Sequence, residues 1–272
     1  MPAFICRQCG TQYAESPRPL AACRVCEDDR QYVRWEGQDW LTLEQLRRSH
    51  AIEWDADETG VTALQVAPHF AIGQRALLVA TPHGNILWDC VALIDRDVVE
   101  RINAAGGLSA IAISHPHFYT TMVEWSDAFG QVPIYLHADD RDWVARGSSA
   151  IVHWSGETLE IAPEVTLIRC GGHFPGAAVL HWAGWNAGAG AIFCGDTLQV
   201  TMDRRFVSFM YSFPNIVPLD ARTVARIGTA VAPLRFDRVY GGFWRRTIAS
   251  DGKAAVARSV QRYLGKIGAP SG

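Results

Sequence analysis

Apolar residues in this chain gather in short runs that break at glycine, proline or polar residues, and these runs alternate with segments of helical spacing. Residues 61–66, 75–81 and 85–88 read as strands, with Pro82-His83-Gly84 as the turn between the last two. Thr42-Leu43-Glu44-Gln45 reads as a capping box opening a short helix, with Leu41, Leu43 and Leu46 available for packing. The polar run Asp55-Ala56-Asp57-Glu58-Thr59-Gly60 reads as an exposed linker. Residues 97–105 predict a helix stopped by Gly106-Gly107, and 110–114 an apolar strand. A helix over 121–129, a strand over 133–136 and a short helix over 139–145 continue the alternation. Strands over 158–161, 165–169, 178–182 and 191–194 follow, then helices over 220–231 and 253–267. Mixed strands and helices imply a layered α/β fold with functional loops at strand ends.

Composition narrows the class. At 272 residues and 49% hydrophobic the chain can bury a substantial core in one main domain with a small appendage. A formal net charge of −3 supplies no bulk attraction to nucleic acid or to a membrane surface. Met1-Pro2-Ala3-Phe4-Ile5-Cys6 lacks the apolar core of a signal peptide. The uncharged stretch 177–194 is interrupted by Gly184, Asn186, Gly188 and Gly190, which suits a hairpin and not a membrane span. A soluble, cytoplasmic protein is expected.

The seven cysteines divide into four and three. Cys6-x-x-Cys9 and Cys23-x-x-Cys26 form two knuckles that can surround one tetrahedral zinc, and so short a segment needs the ion in order to fold. Two disulfides fit a cytosolic chain poorly, and a rubredoxin-type iron is the smaller alternative. Cys90, Cys170 and Cys194 are scattered in apolar surroundings, as small buried hydrophobes are, although Cys170 and Cys194 lie near chemically interesting neighbours.

Those neighbours are His115-Pro116-His117, Gly171-Gly172-His173-Phe174-Pro175-Gly176 and Cys194-Gly195-Asp196-Thr197, each placed where a strand pattern breaks into a loop. Three imidazoles and a carboxylate suit zinc and equally a non-haem iron. The remaining histidines, His50, His69, His83, His137, His153 and His181, read as structural. The paired arginines Arg204-Arg205 and Arg245-Arg246 read first as solvated charge, with Arg245 and Arg246 also able to grip a carboxylate or phosphate. The segment 206–214 suits a substrate pocket, ordinary core or a dimer contact equally.

The order Asp89 after an apolar strand, His115-x-His117 after the next, Gly-His173-x-Pro-Gly, then Phe193-Cys194-Gly195-Asp196 resembles the metallo-β-lactamase superfamily over roughly residues 61–245. The resemblance implies an αββα sandwich, with 61–272 as the metallo-β-lactamase-like domain; the cysteine spacing makes 1–35 a four-cysteine zinc ribbon before it, and 36–60 reads as helix and linker. It implies that His115, His117 and His173 bind the first metal, that Asp196 lies between the two metal positions, and that Asp89 supports the site from behind. The family's pattern is H-x-H-x-D-H. Here Tyr119 stands in place of its aspartate and Thr120 in place of its second histidine, and Val239-Tyr240-Gly241-Gly242-Phe243 brings no late histidine. One active-site ion, zinc or iron, is therefore expected, with Asp196 as fourth ligand or as the base for water.

Three functions follow from that reading. The first is a mononuclear hydrolase of a small-molecule ester, thioester, lactone or phosphoester. Asp196 and Tyr119 would be its catalytic groups, and Arg245, Arg246 and Thr120 its substrate contacts. The second is a mononuclear iron oxygenase acting on a sulfur compound, and the third a non-catalytic binding protein of the same fold. The partners expected are a small-molecule substrate, no nucleic acid, no membrane, and a second copy in a homodimer. The ribbon carries Arg7, Arg18, Arg24, Arg30 and Arg34 against Glu15, Glu27, Asp28 and Asp29, which is no basic stripe.

Overall fold

The computed structural model describes residues 1–58 and 60–268. It divides into two compact units, Met1–Leu136 with Arg141–His153, and His137–Asp140 with Trp154–Gly272. Among the described residues no helix is long and apolar enough to cross a membrane.

In the first unit a seven-stranded sheet is laid down in chain order: Ala51–Glu58, Val61–Ala67, Arg75–Thr81, Gly84–Trp88, Ala110–Ala112, Ile134–His137 and Ile151–Trp154. The first four strands pair antiparallel, while Gly84–Trp88, Ala110–Ala112 and Ile134–His137 pair parallel. Parallel neighbours need crossovers, and the helices Arg96–Ala104 and Met122–Ala128 supply them. Arg96–Ala104 starts where Asp95 caps the Val98 amide at 2.9 Å, and it ends at Gly107, whose amide returns to Ile102 O at 2.9 Å. Its Val98 and Ile102 lie one turn apart and enter a core with Leu64, Leu78, Leu87, Ile111, Ile113, Trp125 and Ile134.

The expected linker is a strand. Residues Asp55, Ala56, Asp57 and Glu58 lie in Ala51–Glu58, paired to Val61–Ala67 from Ala51↔Ala67 to Glu58↔Val61; Gly60 follows, and Thr59 lies outside the described residues. This strand sits at the sheet's edge, where acidic residues deter further pairing, so the charge that suggests a linker is an edge-strand feature. Alternation was present all along, since Ile52 and Trp54 pack on the core. Pairing also carries the four-cysteine module past Trp35: Ala3–Cys6 takes Gln12–Glu15 on one side and Trp40–Thr42 on the other. The capping box forms as read, with Gln45 N donating to Thr42 Oγ1 and Thr42 N to Gln45 Oε1. The expected domain span 61–272 ends in residues 269–272, which lie outside the described residues.

The second unit holds a six-stranded sheet in the order Thr158–Ala162, Val165–Arg169, Ala178–Trp182, Ala191–Phe193, Arg238–Tyr240, Thr247–Ile248. Only the pair Ala191–Phe193 with Arg238–Tyr240 is parallel. The helices Ala221–Val231 and Gly252–Lys266 pack Val224, Ile227 and Val256 against Ile168, Val179 and Ile192. The uncharged stretch 177–194 forms the antiparallel pair Ala178–Trp182 and Ala191–Phe193.

Leu87 is fully buried in a central strand of the first sheet. Leu87→Ala removes its packing and leaves a cavity, and is expected to cost about 2–5 kcal/mol by urea denaturation.

Candidate metal centre

Cys6, Cys9, Cys23 and Cys26 are buried, and their sulfur atoms all lie within 4.8 Å of one another. The separations Cys6 Sγ–Cys26 Sγ and Cys9 Sγ–Cys23 Sγ are both 3.6 Å. A disulfide needs about 2.05 Å. Zinc with Zn–S near 2.3 Å needs tetrahedral edges of about 3.8 Å, which these distances fit. The sulfur atoms also differ in their hold on protons. Hydrogen bonds from Cys23 and Cys26 hold the Cys6 thiol far below its ordinary range, whereas burial pushes the Cys9 thiol far above it. The four buried sulfur atoms lie close enough to share one cation. Gln38, beyond the sequence boundary of the ribbon, donates Nε2 to Cys6 Sγ at 3.2 Å and accepts the Cys23 amide at 3.1 Å.

The first unit also carries His115 and His117. A residue before proline is held extended, and His115 has φ −170° and ψ 171°. Pro116 then opens the single 3-10 turn Pro116–Phe118, where its fixed φ suits the first position. This places the two imidazoles 5.1 Å apart, edge to face, and both are buried. Asp89, in the left-handed region at φ +61° after Gly84–Trp88, accepts the Ser114 amide at 2.7 Å. The Ser114 hydroxyl meets His115 Nδ1 at 2.9 Å. Ser114 was not singled out in the sequence; its only signal was a small polar residue directly before His115.

The second unit carries His173 and Asp196. His173 sits in the turn between Val165–Arg169 and Ala178–Trp182, closed by Cys170 N and Gly171 N donating to Ala177 O at 2.9 and 2.8 Å. Gly172 has φ +89°, and a Cβ there would stand 2.9 Å from Ile227 Cδ1 and 3.0 Å from Leu219 Cδ1. His173 Nδ1 lies 3.2 Å from Met210 O, and its Nε2 lies 3.9 Å from Asp196 Oδ2. Asp196 follows Ala191–Phe193, and its Oδ1 accepts from Gln199 Nε2 at 3.2 Å. Gln199 escaped the sequence reading because nothing in its local pattern marks it, and Met210 entered that reading only as part of the segment 206–214.

Other residues have plainer settings. Tyr119 is buried in the core of the first unit, and Thr120 is buried at φ +34°. Arg245 is exposed and Arg246 half-buried against Met202 Sδ. His137 Nε2 meets Gly156 O at 3.1 Å, and its ring packs on Trp154. Burial pushes the Cys170 thiol up to about 12 and Cys90 also upward, so neither is a nucleophile near neutral pH.

A relative in Bacillus subtilis, the uncharacterized protein YmaE, is 45% identical over 266 residues, covering 97% of this chain and 96% of its own. The chain belongs to the YmaE family. No known family model matches it. Among solved structures, the DIM-1 metallo-β-lactamase is 12% identical with a TM-score of 0.59, covering 80% of this chain and 97% of its own. The metallo-β-lactamase FIM-1 from Pseudomonas aeruginosa, in its mono-zinc form, is 14% identical with a TM-score of 0.56, covering 78% and 96%. The fold is thus that of the metallo-β-lactamases, as the sequence resemblance implied.

Cys23→Ala removes one ligand from the sulfur cluster. It is expected to lower bound metal by about one ion per chain in elemental analysis and to abolish amide protection in the module, since binding there is coupled to folding. Gly172→Ala forces a methyl against Ile227 and Leu219 and is expected to cost about 1–3 kcal/mol in denaturant unfolding.

Proposed function

We propose that the chain is a metal-dependent hydrolase of a small-molecule ester, thioester, lactone or phosphoester. In this reading His115, His117, His173 and Asp196 hold one ion, zinc or iron. The observation that carries it is the donor set itself: all four residues are buried, and each offers one ligand atom. Ser114 and Met210 O engage Nδ1 of His115 and His173, which leaves Nε2 of both rings for ligation in this reading. That FIM-1 shares the fold and was solved in a mono-zinc form supports a one-metal arrangement.

A bound ion supplies Lewis acidity toward a substrate oxygen and makes water nucleophilic near neutral pH. The protein groups do the rest. Asp196, oriented by Gln199, either completes the ligand set or takes the proton from the attacking water. Asp89 holds the backbone that leads into His115. Tyr119 donates to the developing oxyanion, and Thr120, Arg245 and Arg246 contact the substrate. Inside the second unit a 560 Å³ cavity is lined by Gln199, Met202, Met210, Phe213, Phe243 and Arg246. Its apolar walls and single guanidinium suit an apolar molecule with one anionic group.

Elemental analysis of the protein and of His115→Ala tests the site. About two ions per chain, falling by one in the variant, is the expected result; one ion in both would leave only the thiolate cluster filled and favour a non-catalytic protein. Zinc as the lost ion supports hydrolysis, whereas iron with oxygen uptake on a thiol would move the function to oxygenation. On a panel of nitrophenyl esters, thioesters, lactones and phosphodiesters, Tyr119→Phe is expected to lower kcat about 100-fold with KM little changed. Unchanged turnover would remove Tyr119 from the mechanism.

A further inference from the structure

The knuckle that carries Cys6 and Cys9 meets the turn that carries His115 and His117 at three points, all inside the first unit. Gln74 precedes the strand Arg75–Thr81, and its side chain is buried. Its Nε2 donates to Cys9 O at 3.2 Å and, over a longer distance, to His117 O at 3.5 Å. One amide group thereby bridges a thiolate ligand's backbone and an imidazole ligand's backbone. Gln12, three residues beyond Cys9, donates its backbone N–H to Thr120 O at 3.0 Å. Its side chain is itself fixed, donating to Glu124 Oε1 at 3.1 Å and accepting from Arg146 Nη1 at 2.5 Å. Between these two bridges Gly10, at φ +83°, lies against the same turn. A Cβ there would stand 3.3 Å from Ala71 Cβ, 3.4 Å from Thr120 Cγ2 and 3.5 Å from Ala92 Cβ.

A buried carbonyl that loses its donor keeps its desolvation cost, so the two bridges resist independent movement of knuckle and turn. A cation bound by the four thiolates fixes the knuckle, and the same bonds then fix Cys9 O and Gln12 N. We propose that the four-cysteine module positions the His115–Thr120 turn, with Gln74 as the positioning residue, so that filling the thiolate site strengthens metal binding by His115 and His117. This rests on the metal reading of those histidines given above. Such coupling between two binding sites is reciprocal by thermodynamic necessity.

Cobalt(II) titration of the demetallated full chain separates the two sites. Thiolate-bound cobalt has a sulfur-to-metal charge-transfer band that imidazole- and carboxylate-bound cobalt lacks. In Gln74→Met, which keeps length and removes the donor, cobalt affinity at the imidazole site is expected to fall about tenfold, the lower end for loss of a group that orients a ligand. Filling of the thiolate site, read first by its charge-transfer band, is expected to be unchanged. Gln74→Asn keeps an amide but shortens its reach; it is expected to act in the same direction and decides the matter if the methionine variant does not fold. A merely structural Gln74 would lower the unfolding midpoint and leave the cobalt affinity of folded protein as in the parent, which overturns the coupling alone. A parent protein that binds no cobalt beyond the thiolate site overturns both the coupling and the metal reading beneath it.

Discussion

The hydrogen bond from the Ser114 amide to Asp89 Oδ1, at 2.7 Å, ties together the ends of two adjacent parallel strands. Both partners are buried, so the carboxylate is shielded from competing water and the bond is charge-assisted. Asp89 adopts a left-handed backbone that a residue with a Cβ takes at a cost of about 1–3 kcal/mol, and such a conformation persists only where its surroundings demand it. Here the demand comes from both sides. The Asp89 amide donates to Ala112 O at 2.9 Å while its carboxylate accepts from Ser114, so the residue clamps the neighbouring strand just before His115. From there Ser114 reaches the imidazole, and Pro116 sets the turn that brings His117 round.

Burial shapes the chemistry of the donor groups as much as geometry does. Members of a cluster of four buried thiols perturb one another: Cys23 and Cys26 hold the Cys6 thiol low, while burial pushes the Cys9 thiol up. The isolated cysteines differ in kind: Cys90 and Cys170 have no such cluster, and burial is the largest cause that pushes their thiols up. The same residue type thus belongs to a cluster that could hold a metal ion in one place and is a small hydrophobe in another. What separates the two is proximity of further sulfur atoms, which the paired C-x-x-C spacing enforces and single cysteines do not provide.

Legibility followed the range of the interactions. Strands such as Arg75–Thr81, Val165–Arg169 and Ala178–Trp182 carry their own burial pattern and were readable to the residue. The run Asp55–Gly60 misled because acidic residues serve a linker and an edge strand alike, and only the pairing to Val61–Ala67 distinguishes them. Cys6, Cys9, Cys23, Cys26, His115, His117, His173 and Asp196 were conspicuous because their side-chain chemistry is distinctive and each sits in a short local motif. Gln74, Gln12 and Ser114 were not, because an amide or hydroxyl acquires a role only from the carbonyl or ring that happens to face it.

The sequence by itself determined which atoms can hold metal, and it fixed the local turns that present them: proline after His115, glycines before His173, and knuckles around the thiols. These depend on residue identity and on neighbours a few positions away. Tertiary structure decided what stands behind those atoms. Gln74 lies 65 residues from Cys9 and 43 from His117, and Ser114 lies 25 from Asp89. No local pattern encodes such pairings, because they form only when sheet register brings distant segments within hydrogen-bonding distance, about 3 Å.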